Sequence, residues 1–188
     1  MEKALFSNIK IISVYGTLSL GFSLLGFFLP YASHIDSPLD SATPQHIFGH
    51  ILWGAIAGIA SLSLRYIILT GIFAIILDSD HLINFAGIDA VSRMGHSIPF
   101  AFISLIIMIL IFGKKKYMLG AVSFAAVFVH MSFDTFLGVG HFPIFVPFSG
   151  IEVNFQGFDW VLLEAIGICA ILLCRIFLKL KKQPLSQF

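Results

Sequence analysis

Six apolar runs, at about 11–30, 46–64, 66–83, 97–113, 117–137 and 158–179, take up most of the chain. Each is near the length that crosses a bilayer core, or slightly below it. In lipid an unpaired backbone N–H or C=O is costly, so such runs are predicted to be helices. Composition agrees: of 188 residues 58% are apolar and 11% charged, where a soluble domain carries roughly a quarter charged. The expected fold is all-α, a polytopic membrane bundle of about six transmembrane helices forming a single domain over 1–188. Outer loops are expected near 31–45, 84–96 and 138–157. The first run follows Lys3 and Lys10, as a signal peptide would. It is longer than a usual signal core, and "PYASH" is a weak cleavage site, so a retained helix is expected.

The basic residues sort to one side. Lys3 and Lys10 precede the first run, and Arg65 divides the second from the third. Lys114, Lys115 and Lys116 divide the fourth from the fifth, and Arg175, Lys179, Lys181 and Lys182 close the chain. With six spans, Arg93 is the one basic residue on the opposite side. The positive-inside rule then places both termini in the cytoplasm. The expected location is the cytoplasmic (inner or plasma) membrane. A net charge of +1 gives no strongly basic surface, so no nucleic-acid partner is expected. Cys169 and Cys174 both lie in the last apolar run. They are too few for a disulfide framework and lack zinc-knuckle spacing.

The polar residues inside the runs share a depth. His50 and His46 stand fifteen and nineteen residues from Arg65, so about 22 and 28 Å above it on a helix. Asp78 and His81 stand about 20 and 24 Å up the third run, and His96 begins the fourth, about 27 Å above Lys114. His130 and Asp134 lie about 21 and 27 Å above Lys116. Four helices thus bring His or Asp to one layer near the outer face. The pairs 46/50 and 130/134 are spaced i, i+4 and the pair 78/81 i, i+3, so each pair faces one direction. Imidazole with carboxylate suits zinc, manganese or iron. Seven candidates, His46, His50, Asp78, His81, His96, His130 and Asp134, exceed the four ligands of one tetrahedral zinc. They suit two metal ions bridged by a carboxylate or water.

Other polar residues carry plainer readings. A single His in a membrane helix is commonly a hydrogen-bonding residue, which applies to His46 or His141 taken alone, and His34 belongs to a polar loop. Asp80 points away from the Asp78/His81 face in a regular helix. It either caps a helix end or orients or deprotonates a water. Arg93 is either a solvated loop residue or a clamp for phosphate or carboxylate. The twenty-one phenylalanines read as lipid-facing or packing residues.

The order of motifs resembles one family. "GHILWGAIAG" from Gly49, "ILDSDHL" from Ile76, "GHS" from Gly95 and "HMSFDTFLGVGHFPIFVPF" from His130 are similar to the YdjM-like family of membrane-bound metal-dependent hydrolases, some of them LexA-regulated. That family runs as GH, PD-x-DH, HRG-x-THS, then H-x-x-x-D and a turn with Gly and Pro. The resemblance covers about 45–148 and implicates His50, Asp78, Asp80, His81, His96, His130 and Asp134. Leu77 stands where the family has proline, and Val91, Ser92 and Arg93 stand where it has HRG. More distantly, zinc-dependent phospholipase C and related single-strand nucleases also place a helical H-x-x-x-D pair in a His/Asp metal cluster. By analogy that points to phosphoester hydrolysis.

The expected activity is therefore metal-dependent hydrolysis of a phospholipid or lipid-linked phosphoester at the extracytoplasmic face, with Asp78 as the bridging carboxylate and zinc as the first choice of metal. The loop 138–150 would shape the entrance, its "HFPIFVPF" suiting a lipid tail. Rival readings are a divalent-metal or proton-coupled transporter, and an envelope protein with a structural metal. H-E-x-x-H, the intramembrane metalloprotease signature, is absent. Small membrane bundles often dimerise, and the Gly-rich runs of the first two spans leave a homodimer open.

Overall fold

Apolar runs bounded by capping residues and basic corners give helices close to those expected. The computed structural model describes residues 2–29, 43–81, 83, 93–113 and 116–181. The side chains of residues 2–4 and of Asp80 lie outside the described residues, as do His34, Lys114, Lys115, most of the 31–45 loop and the 84–92 part of the next. Among the described residues the fold is all-α apart from one small hairpin. The helices are α1 (Glu2–Leu24), α2 (Pro44–Gly58), α3 (Leu64–Ile76), α4 (Ile98–Phe112), α5 (Tyr117–Phe136) and α6 (Asp159–Leu180). Strands β1 (His141–Phe142) and β2 (Val153–Asn154) pair antiparallel between α5 and α6.

Three segments, Leu5–Phe28, Tyr117–Phe136 and Asp159–Leu180, are long and apolar enough to cross a membrane. The others are shorter. α2 and α3 tighten into 3-10 turns at Ile59–Ser61 and Leu77–Asp80, and α4 stops after 15 residues at Gly113. The first helix starts nine residues before the apolar run, because Glu2–Lys10 continues it as a polar extension.

α5 is the axis. Of its membrane-length window 89% is buried, against 22% for α6, and α2, α3, α4 and α6 all pack on it. The outer faces of α1 and α6 stay apolar and exposed, through Phe6, Ile9, Leu162 and Leu173 among others. Such faces are what lipid-facing helices present.

α2 and α3 approach through glycine. A Cβ on Gly54 would stand 2.7 Å from the Thr70 carbonyl, and one on Gly71 would stand 2.6 Å from the Ile51 carbonyl. Small residues that let backbones meet are the usual means of packing membrane helices. Gly54 of the glycine-rich second span thus faces α3. The opposite corner is held by Arg65, which donates to Asn8 Oδ1 at 2.8 Å and Ser7 Oγ at 3.1 Å. Lys116 belongs to the same end: burial, then the nearby Arg65 guanidinium, hold its ammonium below the ordinary lysine value. The chain thereby gathers these basic residues at one end of the bundle and leaves the other end to His and Asp.

Substituting Gly71→Val forces α2 from α3. Overpacking of this kind costs about 1–3 kcal/mol, so the thermal midpoint in detergent should fall well below that of wild type. Gly21→Ala, where nothing lies within 4 Å, should not lower the midpoint, since alanine suits a helix better than glycine. Equal midpoints for both variants would contradict the close crossing.

Candidate metal centre

Local structure aims each ligand. Thr43 caps α2, its Oγ1 accepting from His46 N at 3.2 Å, with Pro44 in the first turn. That fixes the helix start, and His46 and His50 follow on one face one turn apart. α3 tightens at Leu77–Asp80, and in 3-10 geometry residues three apart eclipse. Asp78 and His81 therefore stack, His81 Nε2 lying 3.6 Å from Asp78 Oδ1. Before α4, Arg93 adopts a left-handed φ of 58°, and His96 N donates back to its carbonyl at 2.9 Å. Ser97 then caps the helix, accepting from Phe100 N at 3.3 Å. His130 and Asp134 project from buried α5.

The shortest contacts in the cluster join its imidazoles in two pairs. His46 and His50 form one imidazole pair, with Nε2 atoms 2.9 Å apart. His96 and His130 form the other, at 2.6 Å. Asp78 turns Oδ2 to the first pair, at 3.5 and 3.7 Å, and Oδ1 to His130 at 3.3 Å. Asp134 does the same. Its Oδ1 lies 3.6 Å from His46 and 3.2 Å from His50, and its Oδ2 lies 3.4 Å from His130 and 4.0 Å from His96. Each carboxylate therefore spans both imidazole pairs.

These separations suit shared ligation. Two donors on one tetrahedral zinc stand roughly 3.3 Å apart, given bonds of about 2.0–2.1 Å. Three close groups can hold a metal ion: His46/His50/Asp78, His50/His130/Asp134 and Asp78/His96/His130, each with ligand atoms within 4.8 Å of one another. Asp78 Oδ2 and Asp134 Oδ1 are buried and accept no hydrogen bond from the described residues. Both face the His46/His50 pair. A buried carboxylate oxygen without a donor is unfavourable unless a cation occupies its lone pairs, so the donor set fits a metal. His130 adds a second sign. Its Nδ1–H donates to the Ala74 carbonyl at 2.7 Å, one of the carbonyls left over in the last turn of α3. In the neutral imidazole this leaves the Nε2 lone pair facing the cluster, as a ligating imidazole requires.

The sequence candidates sort clearly. His46, His50, Asp78, His96, His130 and Asp134 come together. His81 stands at the edge, outside the three close groups but beside Asp78. The His141 ring is exposed. Arg93 is buried at 8% exposure, so the solvated-loop reading gives way. Its Nη1 donates to the His141 carbonyl at 3.2 Å, and its guanidinium lies 5.5 Å from the Phe142 ring centre.

Several contributors carry no signal in a ligand search. Ala74 acts through its backbone. Phe142 stacks on His96 at 5.9 Å, and Phe133 abuts His50 at 4.8 Å, so two residues read as packing wall the imidazoles. Trp53 Nε1 donates to Ser132 Oγ at 3.2 Å, which donates to the Trp160 carbonyl at 2.8 Å. This ties α2, α5 and α6 behind the site. Ser19 and Ser23 of α1 are buried and back Gly95, beside His96. Glu164, whose carboxyl is buried in α6, is an acid within an apolar run and was detectable on that ground. Comparison with family models, curated proteins and solved structures gives no match.

Loss of a ligand's outer-shell partner alone weakens metal affinity about 10–100-fold. His130→Ala and Asp134→Ala should therefore weaken divalent-metal affinity at least that far, read by elemental analysis as metal lost from the purified protein. His141→Ala should retain the wild-type content. Full metal content in Asp134→Ala would contradict the centre.

Proposed function

We propose that the chain is an integral membrane hydrolase with two divalent ions, cleaving a phosphoester of a phospholipid or lipid-linked substrate. The observation that carries this reading is the double span of Asp78 and Asp134 between the His46/His50 and His96/His130 pairs. Two divalent ions held by His46, His50, Asp78, His96, His130 and Asp134 would supply Lewis acidity and a water that ionises near neutral pH, the chemistry of phosphoryl transfer. Zinc is the first choice, and manganese or iron suit the same donors.

The chain's own groups have distinct tasks in this reading. The Ala74 carbonyl orients His130, and the caps of α2 and α4 hold His46 and His96 in place. Asp80 is the candidate to orient or deprotonate a water, and Arg93, three residues before His96, is the candidate clamp for substrate phosphate. The basic residues at the far end support cytoplasmic termini, which puts the cluster at the extracytoplasmic face of the cytoplasmic membrane.

A transporter needs polar groups along the whole path. Below His130, α5 offers Ser123, whose hydroxyl donates to the Gly120 carbonyl of its own helix at 2.8 Å. A structural zinc site closes with four ligands, fewer than gather here. Both features favour the hydrolase.

The test is release of phosphate or headgroup from phospholipids and lipid-linked pyrophosphates by the purified protein with zinc or manganese. Wild type should hydrolyse at least one of them. Asp78→Asn and Asp134→Asn, which remove spanning ligands, should lower the rate by roughly 100-fold or more, the upper end of what an outer-shell loss costs. Turnover that persists in both variants, or a metal-loaded wild type inert to every such lipid, would overturn the proposal.

A further inference from the structure

The connection between α5 and α6 buries apolar side chains and exposes others. Its inner face, with Phe142 and Val146 at 0% exposure and Ile144 at 8%, packs into the bundle. Its outer face shows Phe148 at 82% and Ile151 at 72%. A solvated hairpin alternates apolar-in with polar-out. The paired residues follow that rule, with Phe142 and Val153 toward the bundle and His141 and Asn154 exposed, but the tip between them adds exposed Phe145, Phe148 and Ile151, and Glu152 is the one charged residue between Phe136 and Asp159. The residues that join the connection to the two helices are apolar and exposed as well. Phe136 and Leu137 close α5 exposed, and Phe158 opens α6 at 85%.

The same connection is fixed to the metal centre. Arg93 holds the His141 carbonyl, Ile98 N donates to the Ile144 carbonyl at 2.9 Å, and Phe142 lies under His96. Gly140 and Phe155 close its base, with Phe155 N donating to the Gly140 carbonyl at 2.8 Å. The depth of this hairpin therefore sets the depth of the cluster.

We propose that the β1–β2 hairpin is immersed in the lipid–water interface, anchored by Phe148, Ile151 and Phe158, so that the His/Asp cluster opens at headgroup depth. Aromatic and aliphatic side chains of this kind settle at the headgroup–acyl boundary. A lipid phosphate then meets the cluster without leaving the bilayer. This rests on the membrane-embedded reading above, and it names the side from which substrate arrives.

Spin labels test it. With Cys169→Ala and Cys174→Ala as background, single cysteines are labelled at Phe148→Cys, Ile151→Cys and, as a control, Glu152→Cys. The full-length protein is placed in phosphatidylcholine/phosphatidylglycerol vesicles. Phe148 and Ile151 are exposed, so neither substitution removes core contacts, and the two labels check each other. Collision with oxygen should exceed collision with an aqueous nickel chelate at 148 and 151, and the order should reverse at 152. Nickel preference at both 148 and 151 would overturn the proposal. Exclusion of both reagents there would also overturn it, because a protein partner or second copy would then cover the face. Label depth does not depend on metal or turnover. An immersed hairpin on an inactive, metal-free protein keeps this inference and removes the hydrolase, and a water-exposed hairpin on an active protein does the opposite.

Discussion

Two carboxylates buried among imidazoles at one end of an apolar bundle set the terms for the rest of this molecule. Moving a carboxylate out of water costs several kcal/mol even after relaxation, and two beside each other add repulsion. Asp78 and Asp134 reach toward the same imidazole pairs, and their Oδ2 and Oδ1 accept no hydrogen bond from the described residues. A bound metal cation would resolve both difficulties at once. The cost would then be not a flaw of the fold but a driving force for metal binding.

Rigid neighbours hold the carboxylates there. α5 is buried along nearly its whole length, so His130 and Asp134 have little freedom to swing apart. α2 and α3 touch backbone to backbone at Gly54 and Gly71, which places His50 beside Asp78. The Ala74 carbonyl and Phe142 fix the imidazoles of His130 and His96. Precision at a metal centre comes from such outer contacts as much as from ligands. Every one of them lies on an element that also packs the core.

The helices were legible because apolar length and basic corners are written directly in the residue order. So was the gathering of the His and Asp residues, since Arg65 and Lys116 give each helix a depth marker and His50, Asp78 and His130 fall at matching heights. The near-symmetric role of Asp134 was not legible. Spacing puts it on the right face but cannot say which oxygen meets which ring. The 3-10 ending of α3 was also hidden, because Leu77 directly follows the apolar stretch 72–76, which has no proline or glycine to mark the change. The Ala74 carbonyl escaped because any residue supplies one. The hairpin within 138–157 was read as a loop, as two-residue strands leave no alternating pattern. Asp80 and its competing roles rest on a side chain outside the described residues.

The most direct measurement is X-ray absorption on the zinc-loaded, full-length protein. The account expects two zinc ions per chain, nitrogen and oxygen neighbours at about 2.0–2.1 Å, and a zinc–zinc vector at about 3.5–4 Å. One ion per chain with no metal–metal vector would contradict the spanning role of Asp78 and Asp134. A protein that retains no zinc at all would contradict the metal centre itself.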